Sequence, residues 1–140
     1  MYLNQLSVFL ENREGRLDEV LEILKVNNIN ILSLSLADTS DYGLLRMIVA
    51  DSEKAKSCLK EEGFSASLTP VIAVKLSHEV GQLQGILAEI RKAGMNIEYM
   101  YALATGNHDA SIVIRTTDVE ETARVLEGLG VAVVRSSELV

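Results

Sequence analysis

The sequence has no tryptophan, one proline and one cysteine, and aromatic residues make up only 4% of it. So few aromatics leave little for the stacking platforms on which single-stranded nucleic acids bind. The lone Cys58 excludes an intrachain disulfide framework and is compatible with a reducing cytoplasm. Basic residues are also in the minority, with 13 Lys and Arg against 20 Asp and Glu and a net charge of −7. Because this charge repels polyanions, nucleic acid is not an expected partner.

Long apolar runs are absent as well. No segment approaches the roughly 20 apolar residues that a membrane-spanning helix needs. The first residues lack the basic stretch and apolar core of a signal peptide. We therefore expect a cytoplasmic protein without membrane contact. The apolar fraction of 48% is typical of a globular chain, and 140 residues suffice for one ordinary domain or two small ones.

An internal repeat decides between one domain and two. Alternating residues Leu6–Leu10 run into a polar loop with Gly15, and Val71–Leu76 run into a similar loop with Gly81, 66 residues later. The same offset pairs further apolar residues: Val8 with Val74, Leu21 with Leu87, and Ile48 with Ile114. We conclude that one unit is duplicated and predict domains at residues 1–69 and 70–140.

Each unit is predicted to contain two helices and four strands. The first helix has an apolar stripe at i, i+3, i+4 and i+7, formed by Leu17, Val20, Leu21 and Leu24 and repeated as Leu83, Ile86, Leu87 and Ile90. Two strands joined by a turn follow, at 30–37 and 44–50 in the first unit and at 96–104 and 110–116 in the second. Ser52 and Asp118 are the expected N-caps of the second helices. Strands at 64–69 and 131–135 complete the units.

The element order β-α-β-β-α-β occurs twice, and it is that of a ferredoxin-like fold. We therefore predict an α+β protein of two tandem ferredoxin-like units packed together. Each unit should have an antiparallel sheet with its helices on one face.

The turn from the first strand into the first helix is the segment best suited to bind a ligand. Gly15 lets a ligand approach backbone N–H groups that the helix has not yet used. Such a helix N-terminus suits a carboxylate or phosphate group. Two interpretations stay open at this point: a site for a small anion or amino acid, and a tight turn that needs glycine only for its backbone.

Catalytic and metal-binding patterns are missing. The two histidines, His78 and His108, have no further ligands at metal-binding spacing. No Ser-His-Asp order, Walker loop or dinucleotide fingerprint appears. We expect no metal, no cofactor and no enzymatic activity.

Two pairs of motifs resemble those of ACT domains, which are small regulatory ligand-binding modules. The first unit has NREGRL at 12–17 and NNINI at 27–31, and the second has HEVGQL at 78–83 and AGMNI at 93–97. The resemblance covers essentially the whole chain. Glu14 and Val80 replace the customary proline before the glycine, and His78 stands where Asp or Asn is usual. These departures favour the first loop as the working site.

The resemblance implies a regulatory protein that binds a free amino acid at an interface between ACT units. Because sheet edges and open sheet faces pair readily, we also predict a homodimer. A sensor without a catalytic domain must report to another molecule, so an enzyme regulated in trans is a further expected partner. By position the resemblance assigns ligand binding to Asn12, Arg13, Glu14, Gly15, Arg16, Leu17, Asn30, Ile31 and Ser33 of the first unit. In the second unit it assigns His78, Gly81, Gln82, Leu83, Asn96, Ile97 and Tyr99.

Two other functions are compatible with the same fold. One is a small acylphosphatase-like hydrolase in which Arg13 would grip a phosphate group. The other is an interaction module without a ligand, because sheet edges and open sheet faces readily bind partner chains.

Overall fold

The computed structural model describes residues 2–11, 13–38, 41–77, 79–104 and 110–139. These residues form two compact units, one built mainly from Asn4–Thr69 and the other mainly from Pro70–Glu138. The unit boundary lies inside a single long strand, which contributes its first half to one unit and its second half to the other.

The first unit has the expected order of elements. They are β1 (Leu3–Glu11), α1 (Arg16–Val26), β2 (Ile31–Asp38), β3 (Tyr42–Val49), α2 (Ser52–Glu61) and the first half of β4 (Ser65–Leu76). The strand order is β2-β3-β1-β4, in which β3 pairs antiparallel with both β1 and β2. Alternate residues of β1 and β3 are apolar and pack against the two helices. This core contains the fully buried Leu6, Val8, Val20, Leu24, Leu45, Met47, Ala55 and Leu59.

The second unit repeats this arrangement from the second half of β4. The remaining elements are α3 (Gln82–Lys92), β5 (Ile97–Leu103), β6 (Ala110–Thr116), α4 (Val119–Leu129) and a short 3₁₀ helix (Ser136–Glu138). The strand order is β4-β6-β5, and all pairs are antiparallel. Its core contains Ile72, Val74, Ile86, Ile90, Ile114 and Leu126. The predicted α+β fold class, with helices on one face of antiparallel strands, is confirmed.

The last predicted strand, over 131–135, is reduced to a single bridge between Val74 and Val133. Two backbone hydrogen bonds flank it, from Lys75 N to Ala132 O at 2.9 Å and from Val134 N to Ala73 O at 2.8 Å. The chain then enters the 3₁₀ helix, where Arg135 N donates to the Glu138 carboxylate at 3.1 Å. Because Val134 N donates to β4, Arg135 N faces the opposite edge, and its bond to Glu138 takes no donor from the pairing with β4.

The four helices begin in two different ways. The carboxylates of Asp51 and Asp118 accept backbone N–H bonds at 3.1 Å and cap α2 and α4. The prediction of Asp118 is confirmed, whereas Ser52 is wrong as a cap because it is the first helical residue. In contrast, α1 and α3 follow Gly15 and Gly81, which have φ of 80° and 83°, and neither helix has a side-chain cap.

The repeat offset changes inside the hairpins. Leu36 pairs with Leu45 in the first unit, and Ala102 pairs with Ile112 in the second, so one extra residue lies in the second hairpin. The predicted equivalence of Ile48 and Ile114 in the two repeats is therefore wrong. Ile114 is instead equivalent to Met47, and both side chains belong to the helix-facing cores.

Candidate functional site

Each glycine loop lies where the first strand of a unit meets its first helix. Gly15 and Gly81 take the left-handed conformation, and nothing lies within 4 Å of the position where a Cβ atom would stand. Space is thus open in front of the first turns of α1 and α3. Two predicted ligand-binding residues of these loops, Asn12 and His78, lie outside the described residues.

A small pocket borders the first loop. It has a volume of about 160 Å³ and brings together three of the predicted residues, Arg13, Arg16 and Leu17. We refer to it as the α1 pocket; its remaining lining residues are Leu10, Glu11, Leu36 and Gly43. None of these four was predicted from the sequence. The hairpin topology is a signal for Leu36 and Gly43, since β2 ends and β3 begins at the same end of the unit as the glycine loop.

Arg16 is held in place by groups of the first unit. Its guanidinium lies 4.2 Å from the centroid of the Phe64 ring, and Nη1 donates to Glu19 Oε2 at 2.7 Å. Its side chain is 15% exposed, and Nε is buried with no hydrogen-bond partner among the described residues. The α1 pocket therefore carries a fixed cation whose charge Glu19 partly balances.

A larger groove borders the second loop. Its volume is about 590 Å³, within the range typical of small-molecule sites, roughly 300–1,000 Å³, whereas the α1 pocket is below it. The groove starts at the Gly81 loop and follows one side of α3. Its lining residues are Leu76, Ser77, Glu79, Gly81, Gln82, Leu83, Gln84, Leu87, Ala88 and Arg91. We refer to it as the α3 groove; it includes the predicted Gly81, Gln82 and Leu83.

Gln82 fastens the second loop to the end of β4. Its Oε1 accepts hydrogen bonds from both the backbone N and the Oγ of Ser77, the latter at 2.8 Å. Leu76, Ser77 and Gln82 also line a concavity of about 380 Å³ that extends to residues 129–132. The Gln82 side chain therefore shapes two neighbouring depressions and holds the loop between them.

The residues predicted at the starts of β2 and β5 do not reach the loops of their own units. An 11-residue helix such as α1 spans about 16 Å, and β2 begins beyond its far end. Asn30 O accepts from Ala50 N at 3.0 Å, and Asn96 O accepts from Thr117 N at 3.3 Å. The side chains of Ile31 and Ile97 pack against the two cores. These four residues have local structural roles within their units.

Ser33 and Tyr99 lie on the sheet face away from the helices. Ser33 pairs with Ile48, while its neighbour Leu34 pairs with Met47 of the helix-facing core. Tyr99 pairs with Arg115, and its ring stacks against Tyr101 with centroids 6.5 Å apart. Neither residue contributes to the pockets beside the glycine loops. Glu14, although part of the first loop, is exposed and does not line the α1 pocket.

The described residues contain no group of three or more side chains suited to hold a metal ion. Among the same residues, no helix combines the length and apolar character required to cross a lipid bilayer.

Two βαββαβ units, each with a glycine at the start of its first helix, are the architecture of a tandem ACT protein. The family model described as an ACT domain pair matches residues 1–139, and the chain therefore belongs to this family. The resemblance found in the sequence is confirmed. Comparison with curated proteins gave no match.

Solved structures agree with this assignment. Protein BT0572 from Bacteroides thetaiotaomicron is 39% identical, with a TM-score of 0.91 over 99% of this chain and 96% of its own. The regulatory subunit of aspartate kinase from Thermus thermophilus is 14% identical, with a TM-score of 0.60 over 91% and 93%. A structure of the aspartokinase alpha and beta subunits is 16% identical, with a TM-score of 0.54 over 89% and 91%. The chain thus has a fold similar to that of regulatory subunits.

Proposed function

We propose that the protein is a non-enzymatic regulatory sensor that binds a free amino acid at a glycine loop. The observation that carries this proposal is the start of α3, where Gly81 replaces a side-chain cap and the first turn opens toward the α3 groove. Gln82 N donates to Glu79 O at 3.4 Å, and the remaining N–H groups of the first turn, with the positive end of the helix dipole, suit an α-carboxylate. The contrast with α2 and α4, which Asp51 and Asp118 cap, supports this role for the loop.

Membership of the ACT domain pair family supports a regulatory function, as does the similarity in fold to the aspartate kinase regulatory subunit. A protein of this kind has to transmit the binding event to another molecule. We therefore include in the proposal a cytoplasmic enzyme regulated in trans.

We further propose that the chain acts as a homodimer and that an ACT unit of the second copy closes the site. Within the described part of the chain, β2 and β5 each pair with one strand only. They carry the exposed Leu34, Leu36 and Met100, which are 46%, 45% and 40% accessible. Exposed apolar residues on a strand with a free edge favour pairing with another chain. A second copy is also a source for the β2 and β5 residues that do not reach the loop of their own unit.

The hydrolase alternative has less support. Arg13, to which the phosphate-gripping role was assigned, does line the α1 pocket, whereas Arg16 of the same pocket is engaged by Glu19 and the Phe64 ring. The α1 pocket is also small for a substrate.

Thermal unfolding of the purified protein with each of the 20 standard amino acids at millimolar concentration tests the proposal. A ligand at 100 times its Kd should raise the free energy of unfolding by about 2.7 kcal/mol, because it binds the folded state only. A measurable rise in Tm with at least one amino acid is expected. Absence of any rise with all 20 would refute amino-acid binding.

A further inference from the structure

Two charged side chains lie at opposite ends of the α3 groove. Glu79 precedes the first turn of α3, Arg91 lies in its last turn, and both are exposed. Because an α-helix rises 1.5 Å per residue, Arg91 lies roughly 14 Å along the axis from Gln82, the first residue of α3. Neither Glu79 nor Arg91 forms an ion pair with a described residue. The groove thus has a negative and a positive end, and both charges are available to a second molecule.

The middle of this side of α3 is apolar and has little side-chain bulk. Leu83, Leu87 and Ala88 line the groove and are half-buried, so part of their apolar surface stays open to it. Gly85 is exposed and has nothing within 4 Å of the position of a Cβ atom. Glycine inside a helix lowers its stability relative to alanine, and it permits the close approach of another backbone. This side of α3 therefore suits packing against a second helix.

The order of these residues is symmetric about Gly85, except that the charges at the two ends have opposite signs. Glu79 and Arg91 are each six residues from Gly85, and Leu83 and Leu87 are each two residues from it. A second α3 helix, running antiparallel across this centre, puts Arg91 of each copy opposite Glu79 of the other. The leucines of both copies then pack between two ion pairs. Such a two-fold contact is self-complementary, because the same patch serves both copies.

The equivalent side of α1 does not have complementary ends. The positions 66 residues before Glu79 and Arg91 are Arg13 and Lys25, which are both cationic. Two antiparallel α1 helices would therefore bring like charges together at both ends. Antiparallel packing of α1 against α3 would bring Arg13 to Arg91 at one end. Because opposed like charges suppress a wrong pairing, the charges favour α3 against α3 over both other combinations.

The small residues in the middle of α3 are also missing from α1. Glu19 and Glu22 occupy the positions equivalent to Gly85 and Ala88. Both glutamates form ion pairs within α1, at 2.7 Å and 3.7 Å. The two first helices thus differ where a second helix would approach most closely.

We propose that the side of α3 formed by Glu79, Leu83, Leu87, Ala88 and Arg91 binds the same side of α3 in a second copy of this chain. The inference goes beyond the proposed function, because it requires no bound amino acid and is separate from the pairing of strand edges. One side of one helix is a small interface, and small interfaces are weak. We therefore expect the α3 contact at hundreds of micromolar protein, whereas the edge contact forms at tens of micromolar.

Sedimentation equilibrium of the Leu34→Lys, Leu36→Lys variant isolates the α3 contact, because the variant lacks the proposed edge contact. Its mass should rise from monomer at tens of micromolar to dimer at hundreds of micromolar. A mass that stays monomeric over this range would overturn the proposal. If the variant does not fold, the original chain is measured instead, and its mass should also rise over the same range. An original chain that is monomeric at tens of micromolar would count against the edge contact alone.

The role of the charges is tested in the same background with Glu79→Arg and Arg91→Glu. Each substitution alone should weaken association about tenfold, because the two-fold symmetry converts both attractive pairs into like-charge pairs. An equimolar mixture of the two variants should associate as the unsubstituted background does, since a mixed dimer has opposite charges at both ends.

Lys92→Glu is the matched control for Arg91→Glu. Lys92 is also exposed and changes the net charge equally, but it does not line the groove. It should leave the dissociation constant within about twofold of the original value. An equal loss in Lys92→Glu, or failure of the mixed variants to associate, would contradict the proposed pairing of α3 with α3.

Discussion

Arg16 and Gln82 occupy the same position in the two units, but their side chains have different partners. Arg16 turns inward to Glu19 and the Phe64 ring, whereas Gln82 turns to Ser77 at the end of β4. The inward position of Arg16 is possible because Phe64 offers an aromatic face at 4.2 Å. In the second unit an aliphatic residue stands at that place, since Val131 follows Gly130 as Phe64 follows Gly63. One difference at each of two positions thus removes the buried cation at the start of the helix, although Glu79 and Arg91 still line the α3 groove.

Both Gly81→Ala and Gly15→Ala should destabilise the protein. Both glycines have φ near 80°, and no atom lies within 4 Å of the place that the new methyl group would take, so the cost comes from backbone strain alone. Each substitution should lower the free energy of unfolding by about 1–2 kcal/mol, measured by urea denaturation. Gly81→Ala should also abolish amino-acid binding while Gly15→Ala preserves it. Loss of binding in Gly15→Ala alone would place the working site in the first unit instead.

At the scale of elements, all four helices were predicted from the sequence because every pattern occurred twice. The strands were predicted too, except that those expected at 64–69 and 71–76 form one continuous strand, β4. The prediction of a helix from the apolar stripe at positions 17, 20, 21 and 24 was strengthened because the stripe recurs at 83, 86, 87 and 90. The last strand was not predictable in the same way. The segment 131–135 is rich in valine, as strands are, but only Ala132 and Val134 bond to β4 before the 3₁₀ helix begins at Ser136. How far such a segment stays paired depends on its contacts in the folded unit, which the periodicity of the sequence does not indicate.

The candidate site was predicted less completely than the fold. The glycines were found because their conformation has a sequence signature, and Gly81, Gln82 and Leu83 do line the α3 groove. Leu87, Ala88 and Arg91 were assigned only to a helix. Which side of a helix borders a groove depends on how the elements pack, and the spacing of α3 alone does not contain this information.

A salt bridge between Lys75 and Glu138 joins β4 to the 3₁₀ helix. The Lys75 ammonium lies 2.9 Å from the Glu138 carboxylate, and this hydrogen bond, together with that from Arg135 N, lowers the pKa of Glu138. A lowered carboxyl pKa stabilises the fold fully above the ordinary pKa of a glutamate, about 4.3, and the contribution is lost as pH falls through the lowered value. Lys75→Met should therefore raise the pKa of Glu138 in a carboxyl NMR titration.

The control for this measurement is Lys25→Met, because Lys25 and Glu22 form a more exposed pair at 3.7 Å. It should leave the pKa of Glu138 unchanged. The same Glu138 pKa in Lys75→Met as in the original protein would show that the backbone hydrogen bond from Arg135 alone determines it.

At the scale of the whole molecule, the chain carries two ACT units that differ in their pockets and in the charge of their first helices. A duplication keeps the fold of both copies while each loop is free to change. Because the α1 pocket is small and Arg16, one of its two arginines, is engaged, we expect the first unit to contribute mainly to assembly and the second to ligand binding, although the loop motifs favour the first unit.

The proposed homodimer is tested by light scattering at tens of micromolar protein. The original chain should have the mass of a dimer. The double substitution Leu34→Lys and Leu36→Lys on β2 should give a monomer, because charged side chains on a strand edge oppose pairing with another chain. Leu129→Lys, at an exposed leucine at the end of α4, is the control and should remain dimeric. A monomeric original chain would contradict the proposal.

The position of the unit boundary inside β4 also bears on how the chain can change in length. Every residue of the first core precedes Thr69, and every residue of the second core follows it. An insertion after Thr69 would therefore shift the residues of the second unit together and leave the side-chain alternation within each core unchanged. A one-residue insertion in the middle of β1 or β6, in contrast, would turn apolar side chains of that strand away from the core of its own unit. Over evolutionary time, insertions and deletions should accumulate at the unit boundary and in the hairpins, which already differ by one residue between the two copies.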